Sequence, residues 1–300
     1  MNLIELFDRF PDDQAARQWL EDIRWPDGQR HCPYCAGKRT YHVENERPMP
    51  YRCSDCRKYF SVRTDMVMER SKVPLRRWVI AIYLLSSANK GFSSMDLHRR
   101  LKVTQKTAWF MAQRIREGWD YGTEPMKGPC EVDETFIGGK EKNKHARKRL
   151  RAGRGAVGKI PVVGVKQRGG LVFARPVDRV DKPTLTAFVR ANVQKGETVY
   201  TDENKAYNGL FPDFDHAFVR HGAGQYVRDG VSTNAIESFW ALFKRGYHGT
   251  YHHMSAKHLH RYVNEFTGRQ NARGHAQDVQ MAMLVKSLEG RRLPYKRLIQ

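Results

Sequence analysis

Residues 130–139, CEVDETFIGG, decide the fold when read beside two later segments, TVYTDENKAY at 198–207 and NAIESFWALFKRG at 234–246. Each sets a carboxylate in a matched context: Asp133 inside a strand-like run, Asp202 at the end of another, and Glu237 on a helix. Glu134 and Glu203 adjoin the two aspartates, and neighbours along a strand point to opposite faces, so each pair lends one member to a shared site. Periodicity does not say which member. Carboxylates hold hard divalent ions such as magnesium or manganese. Cutting and rejoining phosphodiesters uses two such ions about 3.5–4 Å apart, one at the attacking and one at the leaving oxygen.

Working outward from Asp133, strand-like runs occupy 130–137, 160–166 and 171–178, followed by a helix near 183–194 and a strand at 197–202. A short strand at 216–220 then precedes three helical segments. A three-strand meander, helix, strand and later helices is the element order of the RNase H fold, in which two adjacent strands and one helix bring such carboxylates together. Between the first two strands lies KEKNKHARKRLRAGRGAVGK (140–159), with nine Lys or Arg against one Glu, too basic to enter a core. It reads as an arm on phosphates rather than a solvated excursion, with Lys142, Lys144, Arg147, Lys148, Arg149, Arg151 and Arg154 as candidate DNA contacts.

Upstream, Cys32-Pro33-Tyr34-Cys35 and Cys53-Ser54-Asp55-Cys56 are separated by seventeen residues, the layout of two knuckles that offer a metal four thiolates. A closed four-thiolate site is structural, since catalysis by zinc needs an open position, and the long insert favours zinc over an iron–sulfur cluster. Cys130 stands alone and reads as a small core residue. Residues 1–28 read as helical, with Asp12 as N-cap and Ala15, Trp19 and Ile23 recurring on one side. Helical patterns at 75–87, 93–101 and 105–119 form a three-helix unit. Thr104 caps its third helix, and Gln105 and Lys106 project from the first turn as recognition-helix candidates.

The chain has 300 residues, 40% of them hydrophobic, enough for a real core and for more than one domain. Its 53 Lys and Arg against 32 Asp and Glu leave a formal charge of +21, beyond what solubility needs, and point to nucleic acid as partner. No stretch is apolar enough to span a membrane, and the N-terminus lacks the basic and apolar regions of a secretion signal, so the expected location is the cytoplasm.

On Glu237's helix, Lys244 follows two turns later on the same face, where a cation reaches a phosphate beside the ions. Trp240 and Phe243 read as core anchors rather than base-stacking rings. The five histidines between 248 and 260 read as phosphate contacts or packing, because His258 and His260 point to different helical faces. Asp229 is a weak candidate for a spare carboxylate.

The tract from Cys32 to Asn271, through CPYC…CSDC, VDETFIGGKEKNKH (132–145), YTDENKAY and the run from Ser232 to Asn271, resembles the insertion-sequence transposases that join a zinc ribbon to a DDE catalytic domain. The resemblance implies that Asp133, Asp202 and Glu237 are the DDE residues. Where some relatives carry Asn at the third position, Glu237 is the better metal ligand. The family pattern also has a lysine at position 244, whereas its histidine is replaced by Ser232, to which no role is assigned. The implied fold is multi-domain: an N-terminal helical segment (1–28), a zinc ribbon (29–68), a helix-turn-helix unit (70–121), an α/β RNase H-like catalytic domain (128–272) and a C-terminal helical tail (273–300). The implied activity is phosphodiester hydrolysis and transesterification on double-stranded DNA, at element ends and target, with Mg2+ or Mn2+ in the catalytic site and Zn2+ in the ribbon. Pairing two ends implies a homodimer or larger assembly. The rival readings are a non-catalytic DNA-binding regulator and a nuclease of the same fold that cuts without joining.

Overall fold

Two capped helices begin the chain in a computed structural model that describes all residues except 121–123, 151–154, 226 and 229. Arg151, Arg154 and Asp229, and part of the linker at 121–125, therefore lie outside the described residues. In α1 (Leu3–Arg9), Asn2 accepts from the Ile4 and Glu5 amides while Glu5 accepts from the Asn2 amide, a reciprocal cap. In α2 (Asp13–Arg24), Asp12 accepts from the Ala15 amide at 2.8 Å. Residues 1–28 are thus two helices with a break at Phe10-Pro11, because proline lacks a donor and disfavours helical backbone in the residue before it. The buried stripe of α2 is Ala16, Trp19 and Leu20, with Ala15 and Ile23 at its margins.

Strands β1 (Thr40–His42), β2 (Tyr51–Cys53) and β3 (Tyr59–Phe60) form a small antiparallel sheet. Its inner face is not self-sufficient: Tyr51 and Phe60 pack on Trp25 just beyond α2, with ring centroids 6.0 and 6.2 Å away. Three helices follow, α3 (Leu75–Ser87), α4 (Ser94–Leu101) and α5 (Gln105–Glu117). Ser93 caps α4 and Thr104 caps α5, and Lys102 takes the left-handed conformation that turns the chain sharply between them.

The second unit is built on a five-stranded mixed sheet of β4 (Cys130–Ile137), β5 (Ile160–Gln167), β6 (Val172–Pro176), β7 (Thr198–Thr201) and β8 (Asp215–Phe218), with α6 (Lys182–Asn192) between β6 and β7. The spatial order is β6-β5-β4-β7-β8, so β4 is central, antiparallel to β5 and parallel to β7. One face buries Cys130, Val132, Val163 and Val199 against Leu185, Phe188 and Val189 of α6. The other buries Ile137, Val162 and Val172 against α7 (Asn234–Gly246), which runs into a π-helical turn at Tyr247–Tyr251, and α8 (Leu259–Ala272). At the β6 edge the Asn271 side chain donates to the Val172 carbonyl at 2.9 Å and accepts from its amide at 2.8 Å, occupying groups another strand would otherwise pair.

Residues 273–300 are not a detached tail. With α9 (Gln277–Ser287) and α10 (Tyr295–Ile299) they join Met1–Asp120 in one compact unit, and Tyr121–Ala272 make the other. Met281, Leu284, Val285 and Leu288 enter the same core as Trp78, Leu85 and Ile115. Gly118, after α5, lies so close to α9 that a Cβ there would fall 2.4 Å from a Leu288 methyl. Arg24 closes the unit, donating to the carbonyls of Val62 and Thr64 at 3.0 and 2.7 Å and to Glu289 at 3.0 Å.

Candidate active site and metal centre

The register between β4 and β7 builds the acidic site. Cys130 pairs with Val199 and Glu131 with Tyr200, so the same register continued two residues would set Asp133 beside Asp202, just past the end of β7. Alternation along β4 sends Cys130 and Val132 to the α6 core and Ile137 to the α7 core. Asp133 thus shares the α7 side with Glu131, whereas Glu134 turns the other way and accepts from Asn204 Nδ2 and Tyr207 Oη, both at 2.7 Å. Periodicity leaves open which of the two faces α7, and these contacts place Asp133 there and Glu134 on the opposite face.

Burial is the main reason the Asp133 carboxyl is pushed up to about 8, and the negative charges of Glu134, Asp202 and Glu237 push it the same way. Burial likewise raises Glu134, against the hydrogen bond from Tyr207. The acidic groups therefore form one electrostatic unit that a cation would relieve. They are more widely spaced than the cysteine ligands: among the described residues only the four cysteines place three or more ligand atoms within 4.8 Å of one another.

Glu237 sits in the first turn of α7 and accepts from Thr233 Oγ1 at 2.7 Å. The placement of that turn depends on two residues that sequence reasoning did not single out. Glu131, 2% exposed, accepts from the Ala235 and Ile236 amides at 2.7 and 3.1 Å and from Arg168 Nε at 3.0 Å. Arg168 also donates to the Gly230 carbonyl at 2.7 Å and to Ser232 Oγ at 2.9 Å, so Ser232 helps tie the loop that leads into α7. The available sequence signal is a carboxylate two residues before Asp133 on the same strand face, but its partners lie 37 and 104 residues away.

Lys244 lies on α7 two turns beyond Glu237 and is exposed. Trp240 and Phe243 are buried, with the Trp240 ring against Gly164, the residue paired with Asp133 across β5. His258 is buried beside Arg261 at 3.0 Å, whereas His260 is exposed. In the basic segment, Glu141 holds Lys144 and accepts from the Leu150 amide at 2.9 Å, and Arg149 donates to the carbonyls of Lys142 and Lys144, both at 2.8 Å. Lys142, Arg147 and Lys148 are exposed around that folded loop. Gln105 and Lys106 are exposed on the first turn of α5, with Gln105 donating to Ser94 Oγ at 3.0 Å and Lys106 lying 4.8 Å from the centroid of the Tyr295 ring.

In the ribbon, Cys32 and Cys56 Sγ stand 3.5 Å apart and Cys35 and Cys53 Sγ 3.7 Å. A tetrahedral ion with bonds to sulfur of about 2.3 Å spaces its ligands by about 3.8 Å, while a disulfide would bring them to about 2.0 Å, so the set fits a zinc ion. Ala36 and Arg57, each directly after the second cysteine of its pair, take the left-handed conformation that folds both knuckles alike. A Cβ at Gly37 would fall 2.2 Å from Asp55 Oδ2, so a side chain there would require the Asp55 carboxylate to move. Burial pushes the Cys32 thiol up, and the Lys58 amide pulls Cys56 down. Cys130 lies outside this set, buried in the second unit and raised to about 12 by its burial.

Residues 125–271 match the ISXO2-like transposase domain and residues 11–59 match the transposase zinc-ribbon domain. Over 248 residues the chain is 31% identical to an uncharacterized protein in transposable element ISH50 of Halobacterium salinarum, which covers 79% of this chain and 83% of the relative. No helix among the described residues is long and apolar enough to cross a membrane.

Proposed function

Because the chain belongs to the insertion-sequence transposases with a zinc ribbon and an ISXO2-like transposase domain, we propose that it is a DDE transposase that binds the terminal inverted repeats of its element and cuts and joins DNA strands. The observation that carries this reading is the β4–β7 register, which continued two residues would set Asp133 beside Asp202 just past β7, and it is supported by the push of the Asp202 and Glu237 charges on the Asp133 carboxyl. The strand order, with an antiparallel meander joined to a parallel pair, supports reading the sheet as RNase H-like.

Asp133, Asp202 and Glu237 would hold two Mg2+ or Mn2+ ions. When bound, such ions supply charge neutralisation at the attacking and leaving oxygens of a phosphodiester. The protein's own part is positioning: Glu131 and Arg168 fix the start of α7, Thr233 orients Glu237, and Glu134 braces Asn204 and Tyr207 behind the site. Lys244 offers a cation to the phosphate two turns along α7. Hydrolysis by water breaks a P–O bond at the element end and frees a 3′-hydroxyl; that hydroxyl attacks a target phosphorus, forming a new P–O bond as the target's own 3′-oxygen leaves as a hydroxyl.

The zinc-clipped ribbon and the helix-turn-helix of α4 and α5 hold the ends, with Gln105 and Lys106 at the groove. Lys142, Lys144, Arg147, Lys148 and Arg149 lie in an arm that follows phosphates, Lys144 and Arg149 chiefly shaping it. Two ends are paired in a homodimer or larger assembly. The test is cleavage and joining of a labelled duplex bearing the element's terminal repeats, with magnesium, by the intact protein and by Asp202→Asn. Joined products that vanish in the variant while repeat binding persists support the proposal. Binding without cleavage by either protein identifies a regulator, and cleavage without joining a nuclease.

A further inference from the structure

The outer face of the ribbon carries a row of side chains that zinc binding does not require. Tyr41 pairs with Arg52 across β1 and β2, and Arg52 pairs with Tyr59 across β2 and β3, so the three lie side by side. Tyr51, Cys53 and Phe60 are buried on the opposite face. Arg52 Nη1 donates to Tyr41 Oη at 3.2 Å and Nε to the Arg57 carbonyl at 3.3 Å, while its guanidinium lies 5.1 Å from the Tyr59 ring centroid. Beside this row Lys58 Nζ lies 4.7 Å from the centroid of Tyr34, which is 48% exposed.

Cross-strand pairing explains part of this, since a cation on an aromatic neighbour supports a small sheet. It does not explain a second ring-held cation that joins the first knuckle to the second, nor the sign of the surface. Residues 51–60 carry Arg52, Arg57 and Lys58 against Asp55 alone, and Asp55 is engaged by Arg39 Nε at 2.8 Å. We propose that this face, Tyr41-Arg52-Tyr59 flanked by Lys58 on Tyr34, docks on the phosphate backbone of duplex DNA. Cations already held on rings lose less side-chain freedom on binding. Rings already covered by cations are poor platforms for unpaired bases, which favours backbone contact over single-strand stacking. Backbone contacts carry no sequence information, so the face should strengthen binding to element ends and to unrelated duplex alike.

The inference takes its partner from the transposase reading, and one titration separates the two. The full-length, zinc-loaded protein and its Arg52→Gln/Lys58→Gln variant are titrated against fluorescent duplexes with and without the terminal repeat, without magnesium, over a range of salt. The variant should bind both duplexes about tenfold or more weakly, and its slope of log affinity against log salt should fall by about 2, one for each phosphate that is no longer neutralised. Zinc content and the thermal midpoint check the fold. If the double variant loses zinc, Lys58→Gln alone is read, with an expected slope change of about 1. An intact variant with unchanged slope and affinity overturns the face while leaving the transposase reading standing. A wild-type protein that binds neither duplex at low salt overturns both.

Discussion

Glu131 stands two residues from Asp133 on the same side of β4 and takes the first amides of α7, so it acts as a cap supplied from another element. Glu131→Ala removes that cap and strips Arg168 of its carboxylate, whereas Glu131→Gln keeps an oxygen for the amides. The alanine variant should lose about 1–3 kcal/mol of stability and at least tenfold in strand cleavage with end binding retained, and the glutamine variant clearly less. Thermal unfolding beside a cleavage time course checks this; equal rates in both variants and the wild type would remove Glu131 from a positioning role. Asp133 carries a pH consequence. Its carboxyl is raised from 3.8 to about 8, so between these values the folded chain keeps a proton that the unfolded chain has lost. Ion-free stability through this group therefore falls as pH rises across that window and levels off above it. On the proposed ion binding at Asp133, a divalent ion would displace the same proton, so the rise in thermal midpoint on adding magnesium should grow from pH 6 to pH 8. Asp133→Asn should abolish that dependence; an unchanged dependence in the variant would assign it to another group.

At the scale of elements, α7 is placed by a niche as much as by its cap. Gly164 lies opposite Asp133, and a Cβ there would fall 2.7 Å from Trp240 Cζ2, 2.8 Å from Cη2 and 3.2 Å from Ile236 Cδ1. Gly164→Ala should push α7 off the sheet, costing about 1–3 kcal/mol and lowering cleavage through displacement of Glu237. Its thermal midpoint and cleavage rate, measured together, decide whether the helix has moved; wild-type values in both would mean that the ring yields without cost. This dependence is invisible in the sequence, where Gly164 is one small residue in an apolar strand. The strands themselves were legible, because the strand-like runs around Asp133 and between 160 and 176 are strong, and so were the caps at Asp12 and Thr104. The cysteine spacing revealed the ribbon for the same local reason. The acidic residues could be named, but not which of Asp133 and Glu134 faces α7, since alternation separates neighbours without orienting them. Contacts across long separations, such as Glu131 with Ala235 or Arg24 with Glu289, leave no periodic trace.

For the molecule as a whole, the unit that holds the ribbon is completed from the far end of the chain. Met281, Leu284, Val285 and Leu288 are fully buried in its core. At about 1.5–3 kcal/mol for each buried side chain, these four contribute about 6–12 kcal/mol, comparable with the entire stability of an ordinary domain. Ser287 Oγ donates to the Gly118 carbonyl at 2.5 Å, and Arg291 to the Glu117 carbonyl at 2.9 Å, so polar ties at the end of α5 would go as well. The ribbon has too little apolar surface of its own to absorb that loss, since Tyr51 and Phe60 depend on Trp25. Deleting residues 273–300 should therefore unfold Met1–Asp120, release zinc and abolish binding to element ends, while Tyr121–Ala272, whose core lacks those residues, stays protected. Hydrogen exchange read segment by segment, with zinc measured by a colorimetric chelator, resolves the two units. Retained zinc and slow exchange across Leu75–Glu117 in the truncated protein would mean that α9 covers a core already closed without it.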